Sequence, residues 1–355
     1  MFIGNDGETN AVQDPGADKG TAIQPRSRAS ATAHEHPMDH LNHAPPSLTI
    51  IGDVAVDLVL GPVAGWPKIG TETIMQRSEL RAGGSGGNTA LAMRHLGAPC
   101  RLLSQVGGDT FGGWLAEEFK GLDAQLGVTQ TATTISTGVI HDCGERTFFT
   151  TKGHLEAQSW DEMRPRLGPP PAPGSIALLT GVFLLPRMRE TYARVLDDLS
   201  ALGYQIAIDT GWPPEGWTFE TRAATTAWLT RCDHILLNEI EIKGLAGVED
   251  LDDALLALAP MMRPDATLVA KTGAKGAVAT YGGARFKVAA PPVEVFDTIG
   301  AGDSFNAGYL AARLSGLGVR EALDQGCRTA SAVIGHFPRQ SIAPGQLAAL
   351  ALTAR

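Results

Sequence analysis

From Leu48 onward, short apolar runs alternate with stretches whose apolar residues recur every three to four positions. LTIIGD (48–53), CRLLSQVG (100–107), SIALLTG (175–181), YQIAIDT (204–210), HILLN (234–238) and TLVAK (267–271) are short runs with apolar centres, which marks them as strand-like. Between them, residues 86–97, 110–121, 187–202, 220–231 and 251–262 carry the period of amphipathic helices. The alternation predicts an α/β fold: a central, mostly parallel sheet flanked by helices on both faces. In such sheets ligands gather beyond the carboxyl ends of the strands, where IGD, LLN, AKTG and FDTIGAGD all fall.

Residues 54–82 and 133–151 break this rhythm with extra extended runs such as TTISTGVI and RTFFTT. RLGPPPAPGS (166–175) reads as a stiff surface connection. Residues 1–46 have no apolar period and are rich in Gly, Ala, Pro, Thr and charge, so they are expected to form a disordered tail. That tail holds His34, His36, His40 and His43, a cluster without the Cys or carboxylate framework that fixes a metal geometry.

Two glycine-rich segments carry the candidate chemistry. DTIGAGDSFN (297–306) follows an extended run and precedes a helix-like pattern of Phe305, Tyr309, Leu310 and Leu314, placing Gly300, Ala301 and Gly302 at a helix mouth. First-turn N–H groups lack internal partners and sit at the positive end of the peptide dipoles, so such a mouth binds anions. A carboxylate there, Asp303, is a poor phosphate ligand, but it is well placed to take a proton from an attacking hydroxyl. A first-turn acid favoured only by the dipole is the plainer reading. In AGGSGGNTALAMRHLG (82–97), Gly83, Gly84, Gly86 and Gly87 allow close backbone approach, and Asn88 offers both a donor and an acceptor.

Together the two segments resemble the paired signatures of the ribokinase-like (PfkB) carbohydrate kinases, an early GGxxxN and a late DTxGAGDxF, and the resemblance extends over residues 47–355. It implies a ribokinase-like kinase domain with a small β-sheet lid from about 54–82 and 133–151, and transfer of the γ-phosphoryl group of ATP, with Mg2+, to a sugar or sugar-acid hydroxyl. It assigns Asp303 as base, residues 300–302 as anion hole, and Asp57, Gly84, Ser85 and Asn88 as substrate contacts. Asn238 and Glu241, in the family's NxxE arrangement, are implied at Mg2+ through water and at the nucleotide; the alternative is a helix start capped by Asn238. Lys271, Gly273 and Gly276 in KTGAKGAVAT are implied at the ATP, against a plain hairpin turn. Arg146 in the lid-like GERTFF segment is a candidate carboxylate contact, or else an exposed strand arginine. Lids of this family often pair between two subunits, which implies a homodimer.

The chain departs from the ribokinase pattern at Ala55 and Ser85, so its sugar contacts differ. Phe183 makes one side of the expected pocket more apolar. Asp297 is present for a monovalent-cation site, but Gln340 stands where a glycine usually helps form it. A nucleoside kinase of the same family and a non-catalytic sugar- or nucleotide-binding protein on this fold remain the alternatives.

Composition narrows the partners. A net charge of −9 and a pI near 5.5 argue against nucleic acid or an anionic membrane. No apolar run approaches the roughly 20 residues that cross a bilayer, and MFIGNDGETN lacks a signal's apolar core, so a cytoplasmic protein is expected. Cys100, Cys143, Cys232 and Cys327 show no CxxC spacing and read as reduced thiols. A dinucleotide-binding GxGxxG does not follow the first strand, and GxxxxGK[ST] is absent.

Overall fold

The computed structural model describes residues 45–351, apart from 144 and 170. The tail expected over 1–46 and its four histidines therefore lie outside the described residues, except for Pro45 and Pro46.

The strands are β1 (Leu48–Ile51), β2 (Ala55–Val63), β3 (Arg77–Gly83), β4 (Cys100–Gly107), β5 (Asp123–Thr129), β6 (Ile135–His141), β7 (Arg146–Thr150), β8 (Ile176–Thr180), β9 (Gln205–Asp209), β10 (His234–Asn238), β11 (Thr267–Lys271), β12 (Ala277–Tyr281) and β13 (Ala284–Val288). They form a nine-stranded sheet of order β13-β12-β11-β10-β9-β8-β1-β4-β5 and a four-stranded sheet of order β3-β2-β6-β7. Pairing in the large sheet is parallel except between β11 and β12 and between β12 and β13, which are antiparallel. Each buried strand feeds a core on both faces: Ile176 and Leu178 pack with Leu48 and Phe305 on one side, while Ala177 and Leu179 pack with Trp160 and Val195 on the other. This two-sided burial is why these strands read as continuous apolar runs rather than alternating ones.

Four helices matter for the site: α1 (Ser85–His95), α2 (Glu239–Ala246), α3 (Ala301–Leu314) and α4 (Val319–Ile334). The segment expected as one helix over 187–202 is two, Pro186–Glu190 and Tyr192–Ala201, interrupted at Thr191. Edge strand β5 was not legible, because its partly buried DAQLGVT has neither a clean alternation nor an apolar run. The stretch TIIGDVAVDLVL spans two strands, β1 and β2, that belong to different sheets. The break comes at Gly52, where a methyl group would lie 2.6 Å from Thr180 Cγ2. Among the described residues no helix is long and apolar enough to cross a membrane, and all four cysteines are free, three of them buried.

Candidate active site

A cavity of about 1000 Å³ opens between the carboxyl ends of the large sheet and the small sheet. Asp53, Gly181, Asp209, Asn238 and Lys271, each at or just beyond the end of a parallel strand, line it together with Asp303. So do Asp57, Gly84, Ser85, Asn88, Glu241, Gly273, Gly276, Gly300, Ala301 and Gly302, so every residue singled out for catalysis, substrate, nucleotide or Mg2+ meets at one place.

The floor is the mouth of α3. Gly300 precedes the helix in the left-handed region at φ 73°, and a methyl there would lie 3.2 Å from the Asn88 amide. Ala301 N–H donates to the Thr298 carbonyl at 3.2 Å. Of the three amides expected to hold an anion, that one is engaged. Those of Gly300 and Gly302 have no acceptor among the described residues. Asp303, half-buried in the first turn, accepts at Oδ2 from Asn88 Nδ2 at 3.0 Å. Burial and the neighbouring Asp209 carboxylate push Asp303 well above the ordinary carboxylate range, against the opposing pull of Lys271 and Asn88.

The glycine-rich turn before α1 is fastened from β1. Asp53 accepts from the amides of Ser85 at 3.0 Å and Gly86 at 3.3 Å, which orients the turn and aims Asn88 at Asp303. Gly84, at φ 78°, would set a methyl 2.8 Å from the Asp53 carbonyl, so the close approach requires glycine. Asp57 lies on β2 opposite Arg81 of β3. Its carboxyl is held up at about 7 by burial, with Arg81 pulling the other way.

The NxxE segment is a capped helix start that also lines the cavity. Asn238 caps α2 through its side chain to Glu241 N at 2.8 Å, and Glu241 Oε2 accepts from Asn238 N at 2.8 Å, a reciprocal capping box. Glu241 is nonetheless buried against the cavity, and burial followed by the charge of Asp209 raises it to about 7. Gly273 and Gly276 form the turn of the antiparallel β11–β12 hairpin, and that turn lines the cavity. Lys271 is not a free phosphate ligand. Its Nζ donates to Asp209 Oδ2 at 2.6 Å and to Asn306 Oδ1 at 3.3 Å. Burial alone would lower this ammonium, but Asp209 and Glu241 outweigh it and hold it above its usual value.

At Asp297, where Gln340 already counted against a cation site, guanidinium groups take up the carboxylate oxygens. Its carboxylate accepts from Arg81 at 3.2 and 3.3 Å, from Arg339 at 3.1 Å and from Ile299 N at 3.0 Å. Burial would raise this acid, but Arg339 and Arg81 keep it below the ordinary range. Gln340, in place of the expected glycine, donates its side chain to the Leu80 carbonyl. Breaking up a buried ion set of this kind by removing one partner costs about 3–5 kcal/mol.

The match to known proteins follows this geometry. The profile described as pfkB family carbohydrate kinase matches residues 46–344. The chain belongs to that family. As a pfkB kinase it is a phosphotransferase with an alcohol group as acceptor. It is similar to the 2-dehydro-3-deoxygluconokinase of Escherichia coli (strain K12), 27% identical over 283 residues that cover 73% of this chain and 91% of the relative. Its fold is that of Arabidopsis thaliana ribokinase complexed with ribose and ATP, with a TM-score of 0.67, 21% identity, and coverage of 87% of this chain and 99% of that one. Adenosine kinase from Sinorhizobium meliloti matches at a TM-score of 0.70 and 23% identity, covering 86% of this chain and 99% of that one.

Asp209, which lines the cavity of this pfkB kinase, was not singled out beforehand, nor were Arg81 and Arg339, which hold Asp297 behind it. An acid ending the buried strand YQIAID was a usable signal for Asp209, because strand ends are where ligands gather. The two arginines gave none.

Proposed function

We propose that this kinase transfers the γ-phosphoryl group of MgATP to a hydroxyl of a sugar or sugar acid. One observation carries the reading: a carboxylate of raised proton affinity beside the free amides of Gly300 and Gly302, in a cavity that also holds Asp57. In this reading Asn88 fixes one oxygen of Asp303, and the other takes the proton as the hydroxyl attacks. The helix-mouth amides meet the charge that builds on the transferred phosphoryl oxygens. Asp57 and the Gly84–Ser85 backbone hold the acceptor. The small sheet covers it and excludes water, which would otherwise compete as acceptor.

The donor set suits Mg2+. That ion keeps several waters and takes one or two carboxylates, so it needs no cluster of three, and none occurs among the described residues. Glu241, beside Asp209 and with Asn238 in the same cap, would hold it, and when bound it would offset phosphate charge. The turn at Gly273 and Gly276 would border the nucleotide.

A sugar acid is favoured within this class by Arg146, which donates to Thr298 Oγ1 where both line the cavity. The similarity to a 2-dehydro-3-deoxygluconokinase points the same way. Phe148, Phe183 and Leu184 on the cavity wall favour a nucleoside as the second reading. The small sheet and its β2–β3 connection, with Phe149, Trp66 and Ile74 exposed, would face a second copy in a homodimer. A cytoplasmic setting, where ATP is present and the four cysteines stay reduced, accords with this function. Measuring ADP release with pentoses, hexoses, keto-deoxy sugar acids and nucleosides tests the proposal; release with none of them contradicts it.

A further inference from the structure

A monovalent cation does not fit at Asp297. Such a site needs unclaimed oxygens, and the oxygens of this turn already accept from guanidinium groups. Asp297 Oδ1 is shared by Arg81 at 3.2 Å and Arg339 at 3.1 Å, and Oδ2 accepts from Arg81 at 3.3 Å. The main-chain oxygen of Asp297 accepts from Arg339 at 3.3 Å, and that of Ile299 accepts from Arg339 Nη1. Glu79 completes the set, with Oε2 on Arg81 at 3.2 Å and Oε1 on the Arg339 amide at 3.0 Å. Two guanidiniums against two carboxylates leave no charge for a further cation to balance.

We propose that the Arg339 guanidinium is a built-in cation that positions and polarises the anion-binding turn, so that this kinase works without a dissolved monovalent ion. The carbonyl of Ile299 and the N–H of Gly300 are two ends of one peptide unit. A charged donor on that oxygen draws electron density from the unit and strengthens its N–H as a donor at the other end. The same guanidinium lies close beneath the turn, since a methyl on Gly300 would come 3.3 Å from Arg339 Nη1. Its charge acts on a phosphoryl group through a short, dry path. Arg339 touches no reacting atom in this arrangement; it is a positioning residue.

The catalytic half of this inference rests on the phosphoryl-transfer reading, whereas the cation half does not. The first test is thermal unfolding of the wild type in potassium, sodium, caesium and choline chlorides at one ionic strength. The midpoints should agree within about 1 °C, because a bound ion stabilises only the state that binds it. A saturable rise specific to potassium would overturn the inference. ADP release by the wild type should likewise be flat across the four salts, and activation by potassium would overturn it. In Arg339→Ala, kcat should fall roughly 10- to 100-fold with sugar KM little changed, the pattern of a lost transition-state interaction. Millimolar guanidinium should restore part of that kcat and urea, its neutral analogue, should not; equal rescue by both would overturn the inference, as would an undiminished kcat. Should the alanine variant not fold, Arg339→Lys, which keeps charge but not the fork, should show an intermediate kcat; a wild-type kcat there would count against the role of the fork. A wild type inactive on all acceptors would contradict the phosphoryl-transfer reading, and the unfolding series would still decide the cation question.

Discussion

Asn88 and Asp303, 215 positions apart in the chain, meet through a 3.0 Å hydrogen bond from the asparagine side-chain amide to the carboxylate. One residue opens α1 and the other opens α3, so the bond ties together the two helix starts that face the cavity. Because Asn88 donates, it favours the charged form of Asp303 and restrains a proton affinity that burial and Asp209 have already raised.

Removing that donor should therefore have a signed effect on the pH profile. A base must be unprotonated to act, so kcat should rise with pH through the titration of Asp303. In Asn88→Ala the midpoint of that rise should move to higher pH, and kcat at neutral pH should drop about tenfold or more, in keeping with the weight of one catalytic hydrogen bond. An unchanged midpoint would show that Asn88 does not govern Asp303.

Asp57 links function to stability. Burial holds its carboxyl at about 7 in the folded protein, above the ordinary value of 3.8. The unfolded chain thus releases this proton more readily, so the stability contributed by the protonated form is complete below pH ~4 and is lost as pH rises through ~7. Asp57→Asn should accordingly raise the melting temperature at pH 8, with little change at pH 4. The same variant should raise sugar KM about tenfold or more while leaving ATP affinity alone, the trade-off of an acid kept for binding at a cost in stability. A lower melting temperature at pH 8 would contradict the burial argument, and weakened ATP binding alone would show that Asp57 serves the nucleotide.

The exposed apolar residues of the β2–β3 connection and of β7 give a prediction about assembly. Ile69 is 99% exposed, Ile74 82% and Trp66 63%, and Trp66 packs edge-on against the half-exposed Phe149 at 5.9 Å. Exposed apolar groups on one such segment suit a contact surface. Sedimentation should show a dimer at micromolar concentration, and Ile74→Asp with Phe149→Asp should convert it to a monomer. A wild type that is monomeric throughout would remove the lid-to-lid dimer from the account.

What the sequence revealed and what it hid divide along the range of the interactions. Gly300, Gly302 and Asp303 were legible because a helix mouth, its glycines and its acid lie within a few residues, and strand ends such as Asn238 could be placed from the apolar runs alone. Asp297 stayed ambiguous for the opposite reason. Its neighbours in sequence suit a cation turn, but its partners Arg81 and Arg339 come from 216 and 42 positions away. Arg81 looks like any polar strand residue, and Arg339 stands in an irregular segment whose path no local pattern dictates. Lys271 sits at the strand end where it was expected, and only the sheet order, which sets β9 beside β10 and β10 beside β11, brings Asp209 within reach of its ammonium. Local chemistry can be read along the chain, whereas charge pairing across the sheet depends on topology.

The central claim is that Asp303 removes the proton from the acceptor hydroxyl. The most direct measurement is steady-state turnover of Asp303→Asn, with ATP affinity from calorimetry and melting temperature on the same sample. In this variant kcat should fall roughly 10²- to 10⁴-fold, the range for loss of a general base, with ATP affinity retained and the fold at least as stable. Turnover within a few-fold of wild type in a folded, ATP-binding Asp303→Asn protein would contradict it.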